Sequence, residues 1–188
     1  DNDSCKNYFW KAAGIAPKWP YPLNGLGNYY MSENKYDSAL YFFNKAIELD
    51  SLNSDAYRNR GLVHFILGGY AGKNGMSIIN MTDLDMARKD FVMARKLNPN
   101  DSYARAYFAD HQLVFLKSYP KGGESYKAYY ENARINYLSA INIDSNFALG
   151  YQKLADFYEY LGDTLTGLNS LIECVKKNIL LFCKLPSV

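Results

Sequence analysis

The 188-residue chain has little proline, cysteine, histidine or tryptophan, and no long apolar run. Half of its six prolines, Pro17, Pro20 and Pro22, cluster near the start, which leaves the remainder open to long helices. The three cysteines, Cys5, Cys174 and Cys183, are odd in number and lack metal-ligand spacing. A Cys5–Cys183 bridge would have to join opposite ends of the chain and is not expected. The two histidines, His64 and His111, sit alone in helical segments and read as packed residues, not as ligands or catalysts. No Ser–His–Asp or Cys–His order is readable, so no enzyme site, metal or cofactor is expected. A formal charge of +2 is too mild for a nucleic-acid-binding face. No run approaches the ~18 apolar residues of a membrane span; residues 179–183 are apolar but far shorter. No signal peptide is visible, but the chain begins with Asp1, so both cytoplasmic and extracytoplasmic locations stay open.

What the chain does have is periodicity. Residues 23–53 read as two amphipathic helices joined by a turn at 32–35. Leu26, Gly27 and Tyr30 mark the first helix; Ala39, Phe43 and Ala46 mark the second. Gly61 follows Gly27 by 34 residues. The second-helix residues recur as Ala39, Ala87, Ala133 and Gly167, spaced 48, 46 and 34. Phe43, Phe91, Tyr137 and Leu171 keep the same spacings, as do Ala46, Ala94, Ala140 and Cys174. Three columns therefore agree that one unit carries 14 extra residues and the next carries 12. Small residues in such columns let helices cross closely, and the aromatic column fills the space between units. A unit of this size cannot bury its apolar face alone, so neighbours must stack. The turns after each second helix, at 50–53, 98–101 and 144–146, are rich in Asn, Asp and Ser, which can cap the next helix.

This pattern resembles the tetratricopeptide repeat (TPR) family. The resemblance covers residues 20–177 and is strongest in the first unit. It implies an all-α, TPR-like alpha-alpha superhelix, a right-handed solenoid of helical hairpins. The expected organisation is an N-terminal extension or cap at 1–19, a TPR domain at 20–181 and a tail at 182–188. The repeats run about 20–53, 54–101 with an insertion at 68–82, 102–147 with an insertion at 118–129, and 148–181. In the extension, Tyr8, Phe9 and Trp10 suggest a short helix over 4–13, either capping the first repeat or docking elsewhere. In the first insertion, helix 55–67 is expected to stop at Gly68-Gly69, and Thr82 with Asp85 has capping-box spacing for a helix starting near Asp83. The sequence from Gly68 to Asn74 fails the phosphate-loop pattern, being one residue short and lacking Ser or Thr after Lys73. Asn80-Met81-Thr82 matches a glycosylation acceptor, a common tripeptide with little weight alone.

The resemblance further implies a non-catalytic protein–protein interaction module, with the first helices lining a groove for a peptide or a partner helix. The positions that match the inward face are Asn24 and Asn28 in the first repeat, and Arg58, Asn59, Leu62 and Phe65 in the second. In the third they are Tyr103, Tyr107 and Asp110, and in the fourth Gln152, Asp156 and Tyr160. Phe65, Ile66, Leu113 and Val114 lie where the inward and inter-helix faces overlap, so they read equally as an apolar floor or as core. Asp110, Asp156 and Glu159 would make the far end acidic and favour a basic partner segment. Repeats that clamp the C-terminal carboxylate of chaperones use cations where this chain has Asn24, Tyr103 and Tyr107, so that chemistry is rejected. The insertions form a second candidate edge, with Met76, Ile78, Ile79 and Met81 in one and Tyr119 and Tyr126 in the other. The alternative reading is an assembly protein that associates, as in a homodimer, through this edge and the apolar C-terminal tail. Partner identity is not readable.

Overall fold

A computed structural model describes residues 2–69 and 79–176. Among these residues there are nine helices and no strand. The chain divides into two compact units, Asp1–Pro99 and Asn100–Val188. The expected positions Met76 and Ile78, Cys183 and the C-terminal tail lie outside the described residues.

The first unit holds α1 (Asn2–Ile15), α2 (Pro20–Ser32), α3 (Tyr36–Leu49), α4 (Ser54–Gly69) and α5 (Met81–Leu97). Pro20 opens α2, where a missing N–H costs nothing. The turn into α3 places Asn34 at φ 57°, a left-handed conformation that Asn tolerates. The hairpin closes on a glycine: a Cβ on Gly27 would lie 2.4 Å from the Phe43 ring. Ala39, Phe43 and Ala46 are fully buried, as their columns require. The same device seats α1, whose Phe9 ring covers Gly25. Trp10 meets Phe42 edge-on at 5.5 Å. Helix α1 thus runs two residues beyond the expected 4–13 at each end.

The hairpin of α4 and α5 departs from expectation at its loop. Helix α4 does not stop at Leu67 but continues through Gly69. Gly68 is buried against Leu84, where a Cβ would meet the Leu84 side chain at 2.8 Å. The Gly68 carbonyl accepts the Asn80 N–H at 2.8 Å, which ties the two ends of the insertion together. Helix α5 starts at Met81 and is capped by Asn80, whose Oδ1 accepts from Thr82 N–H and Asp83 N–H. The Thr82–Asp85 box is therefore not the cap, because the helix already begins at Met81 and Thr82 lies inside it.

The second unit holds α6 (Ser102–Leu116), α7 (Glu124–Ile143), α8 (Ala148–Leu161) and α9 (Thr164–Lys176). Its main core joins Ala109, Leu116, Ala133, Tyr137, Leu154 and Phe157. A second cluster joins Ala106, Ala140 and Phe147, with the Phe147 ring over Gly150. The latter half of the 118–129 insertion lengthens α7, which begins at Glu124. Gly162, at φ +84°, makes the tight turn between α8 and α9. Of the Asn- and Asp-rich turns, Asn53 caps α4 through Ala56 N–H and Asp101 caps α6 through Ala104 N–H. Asp144 does not cap α8; it folds back on Asn146 N–H within its own turn.

Replacing Gly27 with alanine forces its new methyl group into the Phe43 ring. The expected loss is about 1–3 kcal/mol, measured by urea unfolding, whereas Gly14→Ala, which meets open space, should cost nothing comparable.

Candidate functional site

In the first unit, α2 and α4 pack together and bring the expected amides into contact. Asn59 Nδ2 donates to Asn24 Oδ1 at 3.3 Å, and both residues are buried. Arg58 Nε donates to Asn59 Oδ1 at 3.3 Å, while Arg58 Nη1 holds Asp55 at 2.7 Å. A buried amide needs such partners. Asn24 and Asn59 therefore act mainly as a clasp between helices, and Arg58 is positioned by them. Asn28, one turn beyond Asn24, is exposed. Leu62 is half-buried. Phe65 meets the Phe91 ring at 6.4 Å, so of its two readings the contact with α5 is the one observed.

A stronger network lies behind this face and was missed in the sequence. Arg60 forms a fork on buried Asp90, Nε to Oδ2 at 2.8 Å and Nη2 to Oδ1 at 2.7 Å, and its Nη1 reaches Asn44 Oδ1 at 2.7 Å. One guanidinium thus ties α3, α4 and α5. Burial works against the Arg60 charge, but Asp90's hydrogen bonds and charge outweigh it and hold its pKa above the usual value. His64, on the same helix, bonds Asp83 at 2.8 Å through Nδ1.

In the second unit, α6 and α8 pack together. Tyr103 is exposed, with its ring edge-on to Phe147 at 4.7 Å and tilted toward Tyr107 at 6.2 Å. Lys153 lies 5.7 Å over the Tyr107 ring and bonds Asp110 Oδ2. Asp110 Oδ1 accepts the hydroxyl of fully buried Tyr137 at 2.7 Å. Asp110, expected with Asp156 and Glu159 to make the far end acidic, has its carboxylate matched by an ammonium and a phenol. Burial first, then the Asp110 charge and hydrogen bond, push the Tyr137 hydroxyl well above pKa 10. A Tyr in a column that elsewhere holds Phe43, Phe91 and Leu171 was the available signal, since its hydroxyl must find a partner.

Gln152 is half-buried, and Asp156 is exposed. Desolvation raises the Asp156 pKa; Lys153 opposes this, while Glu159 and Asp110 add to it. Lys117 covers the Tyr160 ring at 4.8 Å. At the insertion edge, Ile79, Met81 and Tyr119 are exposed. Tyr119 stacks on Tyr129 at 5.4 Å, and Tyr129 stacks on Phe115 at 5.5 Å. Tyr126 is half-buried against the main core. His111 is buried between Phe108 and Phe115, a packed residue as its helix position suggested. Among the described residues, no group of His, Cys, Asp or Glu could hold a metal, and no helix is long and apolar enough to cross a membrane.

The family model for the TPR repeat matches residues 27–68. The match is local to those residues, and the hairpins with their buried columns give the chain an all-α, TPR-like fold. A crystal structure of TTC0263, a thermophilic TPR protein in Thermus thermophilus, superposes with a TM-score of 0.69 at 16% identity, over 84% of this chain and 73% of that one. The first TPR of Spaghetti (RPAP3), bound to HSP90 peptide SRMEEVD, gives a TM-score of 0.56 at 20% identity, over 76% of this chain and 93% of that one. Among curated proteins, a lipoprotein NlpI homolog of Haemophilus influenzae is 31% identical over 93 residues, half of this chain. The chain spans only 25% of that relative's length. The TPR fold is one of protein-interaction modules, and no enzymatic family is indicated.

Two substitutions test the internal networks. Asp90→Asn strands the Arg60 guanidinium and should cost on the order of 3 kcal/mol by urea unfolding. Tyr137→Phe should change alkaline behaviour. The folded chain holds the Tyr137 proton more tightly than the unfolded chain does. Its contribution is whole below about pH 10 and drains away as pH rises toward the folded-state value. The variant's stability should therefore fall less steeply above about pH 10 than the parent's, read by unfolding at stepped pH.

Proposed function

We propose that this chain is a non-catalytic interaction module that holds an extended peptide or a partner helix on the exposed faces of its first helices. The observation that carries this is the placing of exposed groups on an ordered backing. Asn28 projects beside the Asn24–Asn59 clasp in the first unit. Tyr103 stands exposed over Phe147 in the second. An amide serves a peptide backbone, and a tyrosine supplies a large contact area at small entropic cost. The peptide-bound TPR of Spaghetti (RPAP3) supports this use of the fold. A carboxylate clamp is not part of the proposal, because Asn24, Tyr103 and Tyr107 supply no cation there. Asp156 and Glu159, which remain after Asp110 is matched, favour a basic flank on the partner.

A second reading, association between copies, is favoured by one feature. Leu165, Leu168, Ile172 and Val175 are all exposed on α9 and share one helical face. In the first unit, the residue at Leu168's place in the column is Leu40, and it packs against the core with Val63 of α4. Among the described residues no such cover lies over the α9 stripe, and an exposed apolar stripe is suited to self-association.

Asn28→Ala with Tyr103→Ala should weaken capture of the copurifying partner about tenfold, measured by quantitative pull-down against the parent chain. Leu168→Lys should leave that capture intact. If it instead lowers the mass seen by light scattering, the second reading holds.

A further inference from the structure

We infer that the second unit carries another docking site, away from the first-helix faces, for an acidic peptide segment bearing an apolar side chain. A cleft of about 410 Å³ opens between the turn before α7 and the α8–α9 turn. That volume lies within the range of about 300–1,000 Å³ typical of ligand sites. Tyr126, Tyr130, Tyr158 and Leu161 line it and pack their other sides against the core of the unit. Tyr130 and Tyr158 both rest on Phe157, at 5.5 and 5.4 Å. The aromatic floor is therefore fixed before any ligand arrives, which lowers the ordering cost of binding.

The rim supplies the charge. Lys121 and Lys127 border the cleft and are exposed. Elsewhere in the unit, Lys153, Arg134 and Lys176 are committed to Asp110, Glu131 and Glu173. Neither rim lysine has an ion-pair partner among the described residues. The rim's acid, Asp163, is already occupied: its Oδ1 accepts from Thr166 N–H at 3.1 Å and its Oδ2 from Thr166 Oγ1 at 2.7 Å. It caps α9 and cannot turn to the lysines without giving up that cap. Asp163 stays ionised, its pKa lowered by the Thr166 bonds, so the rim sets the two ammonium groups of Lys121 and Lys127 against one carboxylate and its balance is positive above an apolar floor. A carboxylate can accept from a lysine Nζ while a neighbouring leucine or phenylalanine lies on the rings. Two cations are few for a nucleic-acid backbone, whose affinity comes from many phosphate contacts. The site also gives the 118–129 insertion a purpose, since that segment supplies both lysines and Tyr126.

The test uses the whole chain and a short fluorescent peptide alternating glutamate and leucine, followed by anisotropy. Saturable binding that weakens with salt is expected. Lys121→Glu with Lys127→Glu should reduce affinity at least about fivefold, Tyr126→Ala should also reduce it, and a lysine-for-glutamate probe should not bind. Asn28→Ala with Tyr103→Ala should leave it unchanged, which separates this site from the first-helix faces. If the charge-reversed variant loses helicity by circular dichroism, Lys121→Gln with Lys127→Gln replaces it and should give a smaller loss in the same direction. No binding, binding indifferent to the lysines, loss in the Asn28/Tyr103 variant, or preference for a single-stranded oligonucleotide would each overturn the inference.

Discussion

An aromatic ring seated where a side chain is missing sets the spacing of these helices. Phe43 sits on Gly27, Phe9 on Gly25 and Phe147 on Gly150. Phe43 and Phe9 fill the groove of a neighbouring helix, Phe147 at the head of α8 lies over its own helix and packs with Ala106 and Ala140, and no methyl group fits beneath any of the three rings. Close-packed interiors forfeit contacts over gaps of even half an ångström, so the pairing is specific. The alanine columns serve the same end with less relief. Short hairpins with little apolar area each become stable only because their neighbours cover them.

The polar interior follows from that closeness. Once helices approach, the polar residues between them lose water and must find one another. Arg60 meets Asp90 and Asn44, while Tyr137 and Lys153 meet on Asp110. Of these, Asp110 and Lys153 lie on the first helices of their hairpins, and their pairing takes up both charges. What remains exposed on the first helices is a small set, including Asn28, Tyr103 and Asp156, resting on an ordered backing. Binding on such a surface spends little on ordering the protein.

The two insertions solve different problems. At the first, Asn80 returns to the Gly68 carbonyl, so the extra residues leave and rejoin the hairpin at one point. At the second, extra residues extend α7 and add tyrosines to the core edge, leaving a cleft with lysines above it. Both additions lie between the two helices of a pair, where length changes do not disturb the stacking columns.

The sequence by itself determined the helical hairpins, the columns and the class of fold. A small residue at a fixed place in each helix is a local requirement, and Ala39, Ala87, Ala133 and Gly167 show it without any knowledge of contacts. The site was legible only as a set of helix faces. Asn28 and Tyr103 could be placed on them by register, but register does not say whether Asn24 and Asn59 bond a peptide or each other. That choice, like the pairing of Asp110 with Lys153, was made by the tertiary structure. It depends on distances between helices far apart in sequence, and those distances decide which polar groups lose water together.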